Sequence, residues 1–219
     1  MAAYVNHWAV SATQQSVQKA LASAGIIGPV LFALLVVVQG LMLPEYSHLS
    51  EPVSALAAGP DGWVQNVTFL LTGALMTAHA LGLHWSVGRG IPWLGPALLV
   101  VSGLGLVGAG LFPAIDASGA FSREPSHVVS AVTAFAGAGL GLAVVSRHLS
   151  RTAGWRGYGA YALLSGAAVL VLTLGMFALA APPEAPLHGW LGLVQRLTVA
   201  VWFACVAVLA VKVLRSTPA

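Results

Sequence analysis

Arg196 lies in "LVQRLTVAVWF", residues 193–203, where almost every neighbour suits hydrocarbon. A guanidinium stays charged at any relevant pH, and placing it mid-bilayer costs at least about 2.5 kcal/mol. It therefore demands partners. The acids available are Glu45, Glu51, Asp61, Asp116, Glu124 and Glu184, and His48, His127 and His188 accompany them. A carboxyl group in a dry pocket has a raised pKa and can donate a proton, while aromatic faces can stabilise the carbocation that results. The chemistry this suggests is acid-driven cyclisation or isomerisation of an isoprenoid or related lipid. Asp116, Glu51, Glu45, His127 and Arg196 are the candidate catalytic residues. Tyr46, Ser54, Trp63, Asn66, Phe69, Phe112, Gln195 and Trp202 are the candidate substrate contacts. No cofactor and no metal is required.

The elements that must position these groups are membrane helices. The chain has 219 residues, 58% of them hydrophobic and 7% charged, against about 25% charged in an ordinary soluble domain. Apolar stretches of spanning length recur throughout. They predict an all-α, six-helix membrane bundle with spans near 24–43, 63–83, 92–112, 125–146, 158–180 and 190–211. Residues 1–23 read as a cytoplasmic or interfacial segment, 24–212 as the membrane domain and 213–219 as a tail. "SVQKALASAG" is expected as a short amphipathic surface helix, and no signal peptide is expected. "GLGLVGAGL" and "GAGLGLA" read as close-packing seams between helices. The net charge of +3 comes from scattered residues, which argues against nucleic-acid binding. Cys205 is the lone cysteine, so no internal disulfide can form.

Lys19, Arg89, Arg147, Arg151, Arg156, Lys212 and Arg215 fall on one side of a six-span arrangement. The positive-inside rule makes that side, and both termini, cytoplasmic in a multi-pass protein of the cell membrane. The acids all fall in the first, third and fifth loops, opposite. In the first loop, Ser50 is expected to cap a short helix over "VSALAA", with Glu51 and Pro52 in its first turn and Gly59 and Pro60 ending it. That helix would dip back toward the membrane and line a cavity. Asp61 should cap the second span. In the third loop, Ser122 should cap the fourth span with Glu124 at its positive end. Glu184 and His188 read as rim residues and Trp190 as an interface anchor.

Arg196 lies roughly 10 Å below the start of the last span at about 1.5 Å per residue. Its expected partner is a carboxylate, Asp116 first and Glu51 second. Gln39, Gln65, Asn66 and Gln195 lie at similar depth. Such a cluster marks either a functional site or a structural ion pair fixing register. His79 and His84, toward the opposite end, read as core or interface residues.

"YS" at 46–47, "VSALAAGP" at 53–60, "QNVTFLLTG" at 65–73, "GLFPAID" at 110–116, His127, "WRGYGAY" at 155–161 and "LGLVQRL" at 191–197 occur in this order. In this the chain resembles the bacterial membrane family called domain of unknown function 998. The resemblance spans about residues 25–212 and implies a six-helix membrane domain. It carries over to Ser54, Asn66, Asp116, His127, Gln195 and Arg196. Many relatives place an acid directly after the first-loop serine. Here that position is Ala55, and Glu51, one turn earlier, is the candidate substitute. The Ala-, Gly- and Arg-biased composition resembles that of a high-GC actinobacterium, and in size, helix content and available acids the chain resembles the small membrane-bound terpene cyclases of such organisms, which protonate an isoprenoid with a carboxylic acid. Two alternatives to the cyclase reading stand: a non-enzymatic lipid or small-molecule binding or transport protein, and a zinc-dependent lipid hydrolase using His48, His127, His188 and a carboxylate.

Overall fold

The computed structural model describes residues 12–87, 92–179 and 188–216. Within them are six helices: α1 Ala12–Met42, α2 Gly62–Ser86, α3 Leu94–Leu111, α4 Pro125–Arg151, α5 Arg156–Leu179 and α6 Leu191–Ser216. All six are long and apolar enough to cross a membrane. A 3-10 segment, Val53–Ala57, lies in the first loop, and a single 3-10 turn, His188–Trp190, precedes α6. Each expected span has its helix, most of them longer than hydropathy alone suggests. The "SVQKALASAG" stretch is not a separate surface helix. It continues into α1 without a break, because good helix formers run through it and no proline interrupts it before Pro29, inside the helix. Arg89 and Glu184, and the side chain of His188, lie outside the described residues.

Each helix packs on its neighbours in sequence, and α6 closes back onto α1. The bundle is a ring, and an even number of crossings brings both of its ends to the same face. Leu34, Leu41, Leu164 and Leu174 point outward, as lipid-facing residues should. The interior is filled by Trp202, Phe135, Leu142, Val169 and Leu209.

The seams from α2 to α5 depend on glycine. A Cβ on Gly73 would lie 2.6 Å from the carbonyl oxygen of Gly103, and one on Gly166 would lie 2.6 Å from that of Gly139. A Cβ on Gly105 would strike the backbone of Ala134. Backbones this close gain dispersion contacts that larger side chains would forbid, the expected way for helices to associate in lipid. The small-residue runs read from the sequence are these seams.

A half-buried arginine and two cavities as the candidate functional site

The first loop is strapped to the start of α6. The N–H of Leu193 donates to the carbonyl of Leu49 at 2.9 Å, and the N–H of Val53 donates to Gln195 Oε1 at 2.5 Å. Gly192 makes the approach possible, since a Cβ there would run into the carbonyl of Glu51. Inside the strap, Glu51 Oε2 accepts the N–H of Ser47 at 2.6 Å and closes a turn. Pro52, extended and without an N–H to satisfy, then delivers the chain into Val53–Ala57, every residue of which is buried. Pro52 occupies the N-cap position, so Ser50 is not the cap of this segment. Its Oγ makes no cap there, and its own N–H instead donates to Ser47 Oγ at 3.3 Å.

Arg196 faces this strap. Nη1 donates to the carbonyls of Glu51 at 2.9 Å and Gly192 at 3.0 Å, and Nη2 donates to the Tyr46 hydroxyl. The Tyr46 hydroxyl in turn donates to the carbonyl of Pro52 at 3.0 Å. The guanidinium carbon also stands 5.4 Å from the Tyr46 ring centre. Burial raises the Tyr46 pKa, partly opposed by Arg196, so the phenol is neutral. The described acceptors of Arg196 are thus all neutral oxygens.

The expected pair with Asp116 is not formed. Asp116 Oδ1 accepts from the N–H of Ser118 at 2.8 Å, the Ser118 hydroxyl at 2.6 Å and the N–H of Ala120 at 3.2 Å. These bonds, the Ser118 hydroxyl first, hold its carboxyl below the usual range, and it is exposed. An aspartate with donors two and four residues on satisfies itself locally before it can reach across a bundle. Glu51, the second choice, reaches Arg196 through its backbone carbonyl while its carboxylate holds Ser47. Glu45 is exposed on the loop. The expected Ser122 cap is also displaced. Glu124 takes the N-cap position before Pro125, and Ser122 Oγ donates to Glu124 Oε1 at 3.1 Å. Asp61 does hold the N-cap position of α2, without a side-chain bond.

Two cavities flank α6. The larger, about 570 Å³, is a groove between α1 and α6, walled by Phe32, Val36, Val199 and Phe203 and ending at His48, Val53 and Arg196. His48 lies over Gly40 of α1, where a Cβ would collide with its ring. Burial, and next the Arg196 charge, lower the His48 pKa. The smaller cavity, about 130 Å³, lies between α4, α5 and α6, against Pro52, Ser54, His127, Phe135, Met176 and Gln195. The wall between them is the 3-10 segment and α6: Val53 and Arg196 face the groove, while Ser54 and Gln195 face the smaller cavity. No described carboxylate lines either one.

Of the sequence-predicted residues, Arg196, Tyr46 and Glu51 meet at the strap, and Ser54, His127 and Gln195 meet at the smaller cavity. Phe69 is buried against Phe32 and His127, and Trp202 is core, between Phe135 and Phe203. Trp63 and Phe112 are exposed. Asn66 sits apart on α2, near the Gln39–Gln65 hydrogen bond of 3.1 Å. His79 is buried against Gly25 of α1, and His84 stacks on Trp93 with centroids 3.8 Å apart. Of the "WRGYGAY" stretch, Trp155 and Tyr158 hold Lys212 over their rings. Among the described residues no three of His, Cys, Asp and Glu gather as metal ligands do. Sequence reasoning missed the α1 wall of the groove, because Pro29, Phe32 and Val36 read like any lipid-facing stretch.

The sequence profile of the family described as "Protein of unknown function (DUF998)" matches residues 26–212, and the chain belongs to that family. No curated protein and no solved structure matches the chain.

Proposed function

We propose that this DUF998 member binds an amphiphile with one isoprenoid or similar chain and an anionic head, the chain in the α1–α6 groove and the head at Arg196. The observation that supports it is a charge imbalance at the end of an apolar groove. Arg196 has five N–H donors, of which three described oxygens, all neutral, take a share. Its charge is left for a ligand to neutralise. The groove volume of about 570 Å³ falls within the roughly 300–1,000 Å³ of small-molecule sites. From Arg196 to Ala207 the groove wall rises roughly 16 Å at about 1.5 Å per residue, which suits a chain rather than a compact ring system.

Proton-driven cyclisation would need a protonated carboxyl facing that chain. Glu51 meets Arg196 at the groove's end through its carbonyl, and its carboxylate is committed to Ser47. Binding is therefore the reading we carry, and turnover is an outcome of the test. The strap end lies on the outer side of the cell membrane and the termini in the cytoplasm, as the basic residues argue. Reporter fusions at residues 89, 152 and 219 should all read cytoplasmic.

The experiment is native mass spectrometry of the protein in nanodiscs with farnesyl phosphate and farnesol, with product analysis of the same samples. Retention of the phosphate roughly tenfold over the alcohol, abolished in Arg196→Gln, supports the proposal. Equal retention of both overturns it. A cyclised product would move the protein to the enzyme class and direct attention to Glu51.

A further inference from the structure

We infer that the end of the bundle opposite the strap holds an anionic phospholipid, its phosphate against Arg156 and Lys212 and its chains along the exposed side of α5. Basic residues scattered through the sequence meet at this end. Arg147 and Arg151 stand one turn apart at the end of α4, Arg156 opens α5, and Arg215 stands one turn beyond Lys212 on α6; these arginines are all exposed. Only residues 152–155, turned at Gly154 with φ 75°, separate α4 from α5. No described carboxylate lies here: Glu45, Glu51, Asp61, Asp116 and Glu124 belong to the loops at the strap end.

Lys212 sets the place. A lysine near the end of a spanning helix ordinarily extends its ammonium to water. Here the side chain is half-buried and turns to α5, with Nζ 5.5 Å from the ring centre of Trp155 and 5.6 Å from that of Tyr158. Trp155 is itself buried, which fixes the ring. Two ring faces hold the cation without a counter-charge, and its N–H donors remain for an acceptor. A phosphate diester suits these groups: the guanidinium of Arg156 takes its oxygens in pairs, and the ammonium adds a point charge. The partner is a lipid, because the patch runs directly onto surface that faces lipid. Leu163 and Leu164 are exposed two turns below Arg156 on α5, and Leu140 is exposed two turns below Arg147 on α4. A head at the cations leaves its chains against these leucines. Basic clusters at the ends of spanning helices attract anionic lipids, at roughly fivefold in affinity per charge.

This site and the groove fail independently, since Arg196 stands near the start of α6 and Lys212 near its end. The test is native mass spectrometry of the Arg196→Gln protein, so that the groove's own cation contributes nothing, with equal amounts of phosphatidylglycerol and phosphatidylcholine bearing the same chains. The expected result is preferential retention of phosphatidylglycerol. Lys212→Gln should lower that preference roughly fivefold, and Lys212→Arg, which keeps a cation over the rings, should restore it. Lys19→Gln takes the same charge from α1 and should leave the preference unchanged. Where Lys212→Gln loosens α6 from α5 and lowers thermal stability, Arg156→Gln, at an exposed position, carries the same expectation. Equal retention of the two lipids overturns the inference. An equal loss in Lys19→Gln and Lys212→Gln also overturns it, because charge alone would then suffice without a site. If glycerol 3-phosphate at the same concentration displaces the lipid, the surface takes a free phosphate and the lipid assignment is wrong.

Discussion

The two halves of the ring are packed by different rules. From α2 to α5, glycine faces backbone: Gly73 against Gly103, Gly105 against Ala134, Gly139 against Gly166. Around α6, large side chains meet large side chains, and the one glycine that matters, Gly192, meets a loop rather than a helix. Both cavities lie on the α6 side. Where backbones interlock, no room is left for a ligand. Where side chains of mixed size meet, gaps remain, and polar groups from a loop can be brought to their edges. The first half is packed as a scaffold and the second carries the cavities.

The sharpest way to break this contrast is to add volume to each half. Gly105→Val places a branched side chain into the Ala134 backbone and should cost about 3 kcal/mol or more, or prevent accumulation altogether. Ala204→Leu, which fills part of the groove, should change stability by under about 0.5 kcal/mol and yet lose bound amphiphile. Thermal unfolding in detergent reads the first effect and native mass spectrometry the second. Comparable destabilisation by both would erase the distinction between scaffold and site.

Next in size is the strap. Arg196→Ala removes a donor from the carbonyl of Glu51 and from the Tyr46 hydroxyl and should cost roughly 2 kcal/mol, whereas Arg215→Ala, exposed near the end of α6, should be silent. Chemical unfolding of the two variants side by side decides it.

A smaller effect is expected from pH. His48 has a lowered pKa, through burial and then the Arg196 charge. The folded state therefore binds this proton less readily than the unfolded chain. The stability at stake is complete above the unfolded value of about 6.5 and is lost progressively as pH falls below it. A bound anionic head reverses the balance, because it favours the charged imidazole. Affinity for dodecyl sulfate, a single-chain amphiphile whose head does not titrate in this range, should rise between about pH 7.5 and 5.5. His48→Gln should flatten that rise, and an unchanged slope in the variant would remove His48 from the site.

The smallest effect should come from Asp116→Asn. The amide oxygen can still accept from Ser118 and Ala120, so folding and amphiphile retention should match the parent. A loss of retention would restore Asp116 to the site.

Much of the fold was legible because hydropathy reports directly on what lipid tolerates. Six apolar runs became six helices, and the apolar "VSALA" within a polar loop did turn back into the bundle. The partner of Arg196 was not legible. Matching charge to charge across loops overlooks the backbone, whose carbonyls are present at every residue and leave no mark in the sequence. It also overlooks local competition, which for Asp116 comes from a serine two residues away. His127 and Gln195 were visible as polar residues, but their partners, the carbonyl of Phe112 and the N–H of Val53, are ones no spacing rule connects to them.

The groove lies between the first helix and the last, and this fixes when it can exist. During synthesis α1 is in place long before α6 has left the ribosome. Until α6 inserts, the carbonyls of Leu49 and Glu51 and the N–H of Val53 have none of the α6 partners that hold them in the finished bundle. The proposed site is thus assembled in the final step of biogenesis, at a seam that closes sideways within the bilayer. An amphiphile already dissolved in that leaflet can be enclosed as the seam closes, with no need to enter from water.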